Sequence, residues 1–252
     1  MCIRDSVSAA HAVDPARVFV TGLSAGGAMT TVMLAAYPEV FAGGAVVAGL
    51  AYGAAASVQE ALGAMFQGRS RSGRAWGELV RHASPHQGPW PRIAIWHGDA
   101  DSTVRPGAAD EIAKQWADVW ALPAEPDRTT RSRGIKRSVW RAADGVEAIQ
   151  LNLVAAMGHG AAIAAGGPDG CGRPGPYLLE SGVSSSVEIL RFWGVETVQA
   201  SGRQPTETIA AEARPAQARA RKAGVYPLTP DALVSGMEQV IAKALTAAGL
   251  IK

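Results

Sequence analysis

The chain has 252 residues, of which 48% are hydrophobic and 18% charged, and its formal net charge at pH 7 is +2. A net charge this small gives no reason to expect nucleic acid or an anionic membrane as the main partner, and no apolar run reaches the roughly 20 residues of a membrane-spanning helix. The chain has two cysteines and no Cys/His spacing typical of zinc sites. We therefore expect neither a disulfide framework nor a metal centre, and we expect no cofactor.

The first strong pattern in the chain is a strand, a sharp turn and a helix. Residues 1–6 lack the features of a signal peptide and are predicted to be an artefactual leader. A β-branched and aromatic run at Val18–Thr21 predicts a strand, and an apolar pattern at Ala25–Tyr37 predicts a helix. The motif between them, Gly22–Gly26, reads Gly-x-Ser-x-Gly, the nucleophile elbow of α/β-hydrolases. Ser24 is therefore the candidate nucleophile; a glycine-rich packing turn is the alternative.

Few residues precede this motif. About 17 residues lie before Val18, whereas the α/β-hydrolase fold places several strands before the elbow, including the loop that donates one oxyanion-hole amide. We therefore expect an N-terminally truncated chain that lacks the first strands and the second oxyanion donor. The other donor is predicted to be the backbone N–H of Ala25, at the start of the helix.

The next patterns predict an α/β fold with a mostly parallel sheet and helices on both faces. Continuous apolar runs at Gly44–Leu50 and Ile93–Trp96 fit buried, parallel strands. The intervening residues 51–88 predict helices near Ser57–Phe66 and Gly73–His82. These helices either shape a substrate pocket or form an ordinary crossover between strands.

The second half of the predicted domain contains a helix, a loop, a hairpin and a further helix. An amphipathic helix is predicted from about residue 107 to 122, and the polar, Arg-rich segment 123–138 is predicted to be a solvated loop. Asp144-Gly145 predicts a hairpin at the sheet edge between Val139–Ala142 and Val146–Ala155. Over most of Ile149–Val154 the second arm alternates apolar and polar residues and should expose one face. A further helix is expected over Ser184–Trp193.

A serine nucleophile needs a base that takes its proton and a carboxylate that orients the base. His159 lies in a glycine-flanked loop after the last predicted strand and is the candidate base. Asp99 and Asp101 both follow the strand ending at Trp96; Asp101 is favoured as the acid because the pattern His-Gly-x-x-Asp-x-x-Val presents it at the loop apex. His97 is expected to support this loop by hydrogen bonding, and Asp99 is a possible second supporting residue. Nucleophile, acid and base then follow the chain order of α/β-hydrolases.

Several separate segments resemble the poly(3-hydroxybutyrate) depolymerase-like esterases, an α/β-hydrolase family that includes feruloyl and acetylxylan esterases. They are the elbow region Asp14–Met29, the acid loop Trp96–Val104, the histidine loop Met157–Gly160 and the later run Gly175–Ser186 with Phe192–Gly194. The resemblance covers about residues 13–195 and implies a secreted or envelope-facing carboxylic ester hydrolase with the triad Ser24, Asp101 and His159. The family's His-Gly-Cys oxyanion segment has no counterpart in this sequence.

The resemblance implies a catalytic domain over residues 7–195 that hydrolyses poly(3-hydroxybutyrate) or a related short-chain polyester through an acyl-enzyme. A feruloyl or acetylxylan esterase is the alternative within the family, and an inactive fragment or binding module is the alternative outside it. Residues 196–252 are predicted to form a helical tail with a mobile linker and a last amphipathic helix. Three tryptophans near the predicted loops would suit stacking on substrate, although core packing is favoured: Trp76, Trp90 and Trp96.

Overall fold

The computed structural model describes residues 7, 8, 10–167 and 169–195. The predicted leader and the predicted helical tail lie outside the described residues, and the domain boundary at residue 195 stays a prediction. The strands are β1 (Phe19–Leu23), β2 (Gly43–Val47), β3 (Arg92–Gly98), β4 (Arg128–Ser132), β5 (Ile135–Arg141), β6 (Glu147–Val154), β7 (Ala161–Ile163) and β8 (Leu178–Glu180). The α-helices used below are α1 (Ala25–Ala36), α2 (Val58–Phe66), α3 (Gly73–Arg81), α4 (Gly107–Val119) and α5 (Ser185–Phe192).

Six of these strands form one sheet in the order β1-β2-β3-β6-β5-β4. The first four in this order are parallel, and β5 and β4 extend the sheet in antiparallel fashion. Every residue of β2 is buried, as expected for a parallel strand covered on both sides. The four parallel strands end at the same edge of the sheet, and the loops that follow them therefore lie together, where α/β proteins place their sites.

Helices cover both faces of the sheet. Ile93 and Ile95 of β3 belong to a core cluster with residues of α1, α3 and α4, while Ala94 and Trp96 belong to the cluster that includes α5. This alternation follows from the two-residue period of a strand, which sends successive side chains to opposite faces. The predicted α/β architecture is thereby observed, and no helix in the described ranges is long and apolar enough to cross a bilayer.

The sequence left open whether three tryptophans pack in the core or stack on substrate, and the structure places them in core packing. Trp76 and Trp96 are completely buried, and Trp90 packs against the cluster that contains Trp76. The helices of residues 51–88 lie close to their predicted positions. The end of α2 contacts the acid loop, since the Arg105 N–H donates to the Met65 carbonyl at 3.0 Å.

The prediction of a solvated loop over residues 123–138 is wrong for its second half. β4 pairs with β5 through a turn at Arg133 and Gly134, whose φ angles are 48° and 73°. Two successive positive φ values are the geometry of a two-residue hairpin turn. Every residue of β4 is exposed, so this edge strand carries no apolar alternation, and its charges disfavour pairing with another chain. The same composition that indicated a loop therefore also suits an edge strand.

The hairpin at Asp144-Gly145 is present, but its second arm is neither at the edge nor exposed on one face. β6 lies between β3 and β5, and its Gln150 and Asn152 are buried. The Asn152 amide donates to the Ile95 carbonyl at 3.3 Å and to Gln150 at 3.0 Å, and its oxygen accepts from Arg137 at 2.7 Å. These hydrogen bonds offset the cost of burying polar groups. The polar residues in the alternating pattern of β6 therefore contact polar partners within the protein rather than solvent.

Two further features were not anticipated from the sequence. β7 and β8 form a separate two-stranded parallel sheet, which joins the segment after His159 to the segment that begins at Leu178. Arg137, predicted to lie on a solvated face, donates instead to Glu188 of α5 at 2.6 Å. This contact connects α5 to the sheet through a partly buried ion pair.

Candidate active site

Ser24 lies at the turn between β1 and α1 in a strained backbone conformation. Its φ is 58° and its ψ is −117°, in a region that few residues other than glycine adopt. The Ser24 N–H donates to the Val47 carbonyl at 2.9 Å, and its carbonyl accepts from the Ala28 N–H at 2.9 Å. These bonds to β2 and to the first turn of α1 hold the residue in place. Strain of this kind at a strand-to-helix turn is typical of a nucleophile elbow.

The glycines around Ser24 have different steric roles. A Cβ on Gly22 would lie 2.2 Å from the Gly26 carbonyl oxygen, and one on Gly27 would lie 2.8 Å from the Val47 carbonyl oxygen. A Cβ on Gly26 itself would meet no atom within 4 Å. Strand and helix can therefore approach closely because Gly22 and Gly27 lack side chains, whereas Gly26 faces open space beside the serine.

The loops that follow the parallel strands are linked to one another by hydrogen bonds. Backbone hydrogen bonds connect successive loops along this edge: Ala48 N–H to Trp96 O at 2.8 Å, Asp99 N–H to Val154 O at 3.0 Å and Ala100 N–H to Met157 O at 3.1 Å. Ser24 follows β1, Asp101 follows β3 and His159 follows β6. The three sequence-predicted triad residues are therefore at one edge of one sheet.

Asp101 and His159 form a direct pair. The Asp101 side chain is buried, and one of its oxygens, Oδ2, lies 2.8 Å from His159 Nδ1. The other oxygen accepts from the N–H groups of Thr103 at 2.8 Å and Val104 at 2.9 Å. Burial acts to raise the pKa of Asp101, but hydrogen bonds from His159, His97 and the Val104 N–H hold that pKa well below its usual range. An ionised Asp101 keeps the proton of His159 on Nδ1 and leaves Nε2 as the acceptor.

His97 contacts the same acid loop from inside the protein. Its ring is completely buried, and Nε2 lies 2.9 Å from the Val104 carbonyl oxygen and 3.3 Å from Asp101 Oδ2. Nε2 carries a proton because a carbonyl oxygen can only accept. Nδ1 is buried without a hydrogen-bond partner among the described residues, so Nε2 makes the polar contacts of this ring.

Asp99 occupies a different environment from Asp101. It is exposed, and its Oδ1 accepts the Ala156 N–H at 2.7 Å, so it connects the loop after β3 with the loop after β6. Of the two candidate acids, Asp101 is therefore the one that contacts an imidazole.

Ser24 and His159 are not joined by a direct hydrogen bond within the described part of the chain. The Ser24 hydroxyl does not cap α1 either. Hydrogen bonds between nucleophile and base are often long until substrate binds. The geometry therefore brings Asp101 and His159 into contact and leaves Ser24 at the same edge of the sheet.

Ala25 is exposed at the first position of α1. The first N–H groups of a helix have no partner within it, and the helix dipole favours negative charge at this end. The Ser24 N–H is already used by Val47, so the next backbone donor along the chain is the Ala25 N–H. Among the residues described, no group of three His, Cys, Asp or Glu side chains is arranged to hold a metal ion.

Sequence reasoning assigned no role to Tyr177, which lies next to the histidine loop. Its ring centroid is 6.2 Å from that of His159, in an edge-on arrangement. The signal that could have identified it is the run Gly175–Leu178, in which a bulky aromatic residue follows proline inside a turn.

A mostly parallel sheet covered on both faces, with a strained serine elbow and a buried Asp–His pair at its carboxyl edge, defines an α/β-hydrolase. The family described as Esterase PHB depolymerase has a model that matches residues 1–133, just over half of the chain, and the chain belongs to this family. The resemblance predicted from the sequence segments is thereby confirmed.

Individual relatives agree with this membership. The chain is 40% identical over 193 residues to poly(3-hydroxyalkanoate) depolymerase C of Paucimonas lemoignei, which covers 76% of this chain and 47% of that protein. It is 40% identical over 115 residues to feruloyl esterase B of Thermothelomyces thermophilus, which covers 43% and 40% respectively. The chain thus spans about half or less of the length of these curated relatives.

A solved structure confirms the predicted fold class. The acetyl xylan esterase from Aspergillus awamori superposes with a TM-score of 0.59 at 23% identity, over 76% of this chain and 67% of that one. At this level of identity the likeness establishes a shared fold.

Proposed function

We propose that this chain is a serine carboxylic ester hydrolase of the polyhydroxyalkanoate depolymerase type, with Ser24 as nucleophile, His159 as base and Asp101 as acid. The observation that carries the proposal is the 2.8 Å contact between Asp101 and His159 Nδ1, at the sheet edge where the strained Ser24 lies. Membership of the esterase family supports the same chemistry.

In the proposed reaction, His159 Nε2 takes the proton of the Ser24 hydroxyl while the serine oxygen attacks the ester carbonyl carbon. The carbonyl π electrons move to oxygen, and the Ala25 N–H stabilises the resulting oxyanion. Collapse breaks the bond to the alcohol oxygen, which receives the proton from His159 and leaves an acyl-enzyme on Ser24. Water then repeats the sequence, so one ester and one water give one acid and one alcohol. Asp101 stays ionised throughout and stabilises the imidazolium.

The two supporting residues act on the acid loop. His97 binds the Val104 carbonyl, and the Val104 N–H in turn binds Asp101, so His97 fixes the turn that presents the carboxylate. Asp99 connects the acid loop to the segment before His159 through Ala156. Both contacts restrict the distance between acid and base, and such positioning lowers the barrier of the chemical step.

A polyester substrate is supported by the extent of similarity. Identity of 40% to the depolymerase extends over 193 residues, compared with 115 for the feruloyl esterase. The similarity to this esterase family implies a secreted or envelope-facing enzyme, and we further propose that the protein acts outside the cell.

Hydrolysis assays on the full chain test this function. We expect turnover of p-nitrophenyl butyrate and of 3-hydroxybutyrate oligomers, and a loss of at least about 10³-fold in kcat for Ser24→Ala. Faster turnover of methyl ferulate or acetylated xylan than of the oligomers would instead identify a feruloyl or acetylxylan esterase. Equal rates for the parent chain and Ser24→Ala would contradict the proposed mechanism.

A further inference from the structure

Tyr177 lies beside His159, and it and its chain neighbour Leu178 are exposed apolar residues that the proposed chemistry does not use. Tyr177 exposes 59% of its surface and Leu178 exposes 43%. The Tyr177 ring stands edge-on to the His159 ring at an interplanar angle of 82°, with 6.2 Å between centroids. Exposed apolar residues next to a reactive side chain indicate a surface that contacts substrate.

The backbone of Tyr177 is strained. Gly175 and Leu178 close a turn through reciprocal hydrogen bonds of 3.1 and 3.0 Å, with Pro176 second and Tyr177 third. The φ of Tyr177 is 62°. A positive φ after proline is the pattern of a type II turn, which favours glycine or asparagine at that position. Because a bulky aromatic residue is unfavourable for the turn itself, its presence points to a role for the ring outside the turn.

The same turn is fixed to the histidine loop. The Ala161 N–H donates to the Tyr177 carbonyl at 2.8 Å, and β7 and β8 continue the contact in parallel pairing. A Cβ on Gly160 would lie 2.7 Å from the Tyr177 carbonyl oxygen, so the two segments approach closely only because residue 160 is glycine. The backbone of Tyr177 is therefore held at a defined position relative to the histidine loop, as a binding surface requires.

We propose that Tyr177 and Leu178 bind the alcohol portion of an apolar ester, such as the hydroxyalkanoate repeat that is released first from a polyester. This inference rests on the proposed function. His159 returns its proton to the departing alcohol oxygen as the carbon–oxygen bond breaks, so the alcohol portion lies on the imidazole side of the scissile ester. An exposed aromatic ring and an exposed leucine at successive positions present uncharged apolar area, which suits an apolar alcohol better than a sugar.

Two series of ester substrates, assayed with the full chain, distinguish binding of the alcohol portion from binding of the acyl portion. Methyl and hexyl butyrate vary the alcohol, and methyl butyrate and methyl decanoate vary the acyl group. We expect Tyr177→Ala to lower kcat/KM for hexyl butyrate about 10-fold, and to change the two methyl esters less than about 2-fold. Leu178→Ser should act in the same direction, while Tyr177→Phe, which keeps the ring, should resemble the parent.

Tyr37→Ala is the matched control, because Tyr37 is also about half exposed, at 50%, but follows the far end of α1. Circular dichroism checks the folding of each variant, and Leu178→Ser provides the test if Tyr177→Ala does not fold. A loss confined to methyl decanoate, or unchanged selectivity in folded variants of an active parent, would overturn this inference and leave the proposed function intact. Absence of hydrolysis by the parent chain in both series would overturn the proposed function and this inference with it.

Discussion

Each oxygen of the Asp101 carboxylate has a separate set of partners. Oδ1 accepts the two backbone N–H groups of its own turn, from Thr103 and Val104, and Oδ2 faces His159 and His97. A carboxylate held in this way has little freedom to rotate. It therefore fixes the orientation of the His159 imidazole and also stabilises the imidazolium that forms during the proposed reaction.

Replacing this carboxylate with an amide should separate the two candidate acids. We expect Asp101→Asn to lower kcat roughly 10³- to 10⁴-fold, because an amide cannot stabilise the imidazolium or enforce its tautomer. Asp99→Asn is the matched control: its amide oxygen can still accept the Ala156 N–H, so kcat should change less than about 3-fold. Steady-state kinetics with p-nitrophenyl butyrate measures both, and the reverse ranking would assign the acid to Asp99.

His97 should act on turnover rather than on substrate binding. Leucine at position 97 removes the donor to the Val104 carbonyl, and we expect His97→Leu to lower kcat about 10- to 100-fold with KM nearly unchanged. Glutamine retains a side-chain N–H, so His97→Gln should restore part of the rate. A rise in KM at constant kcat, with no rescue by glutamine, would contradict this positioning role.

Residue-level sequence reasoning placed the predicted nucleophile, acid and base at one edge of the sheet, because the order of serine, acid and histidine, each after a buried strand, follows from the topology of the fold. It assigned nothing to Tyr177, since the position of that ring beside His159 depends on a close contact between two loops that are distant in the sequence. It favoured Asp101 over Asp99 from the loop pattern alone, because both follow the same strand, and the fold of the loop then shows that Asp101 contacts His159.

At the scale of elements, the elbow depends on one close contact between β1 and α1. The Cβ of alanine at position 22 would lie 2.2 Å from a backbone oxygen, whereas position 26 has free space. We expect Gly22→Ala to lower the free energy of unfolding by about 2 to 4 kcal/mol, and Gly26→Ala to leave it unchanged or raise it by about 1 kcal/mol. Chemical denaturation measures both, and equal stabilities would contradict the steric argument.

α5 is attached to the sheet through Glu188, which accepts from Arg137 at 2.6 Å and from Arg191 at 2.7 Å. Burial acts to raise the pKa of Glu188, but these two arginines hold it below its ordinary value of 4.5. Below about pH 4.5 the unfolded chain therefore binds a proton more readily than the folded chain. The stability contributed by Glu188 is present above this pH and is lost as the pH falls through the lowered pKa.

The Glu188→Gln variant tests this attachment. We expect it to lower the free energy of unfolding at pH 7 by about 2 kcal/mol, and to show a smaller loss of stability between pH 5 and 3 than the parent chain. Glu78→Gln is the control, because Glu78 forms an exposed pair with Arg74 on α3 and should change neither quantity measurably. Denaturation at several pH values checks the prediction, and an unchanged pH dependence for Glu188→Gln would contradict it.

Sequence reasoning located well the elements whose burial gives a clear pattern of apolar residues in the sequence. Examples are the fully buried β2 and the amphipathic α4. It missed β4 because every residue of that strand is exposed. It misjudged β6 because Gln150 and Asn152 are buried through hydrogen bonds, and a sequence does not show the partners that make such burial possible.

At the scale of the whole molecule, the account depends on parallel strands that end at a common edge. β1, β3 and β6 carry Ser24, Asp101 and His159 into loops that backbone hydrogen bonds link side by side. The sequence predicted that edge, because buried apolar runs separated by helices favour a parallel sheet. It did not predict the separate β7–β8 sheet, whose three-residue strands are too short to leave a pattern.

The most direct measurement of the central claim is covalent labelling of the full chain with a fluorophosphonate probe, followed by mass spectrometry of its peptides. We expect one adduct, on Ser24, that is lost in Ser24→Ala and strongly slowed in Asp101→Asn, because the probe reacts with a serine that a neighbouring base activates. A folded chain that takes up no probe, or takes it up on another serine, would contradict the account and favour an inactive fragment or a binding module.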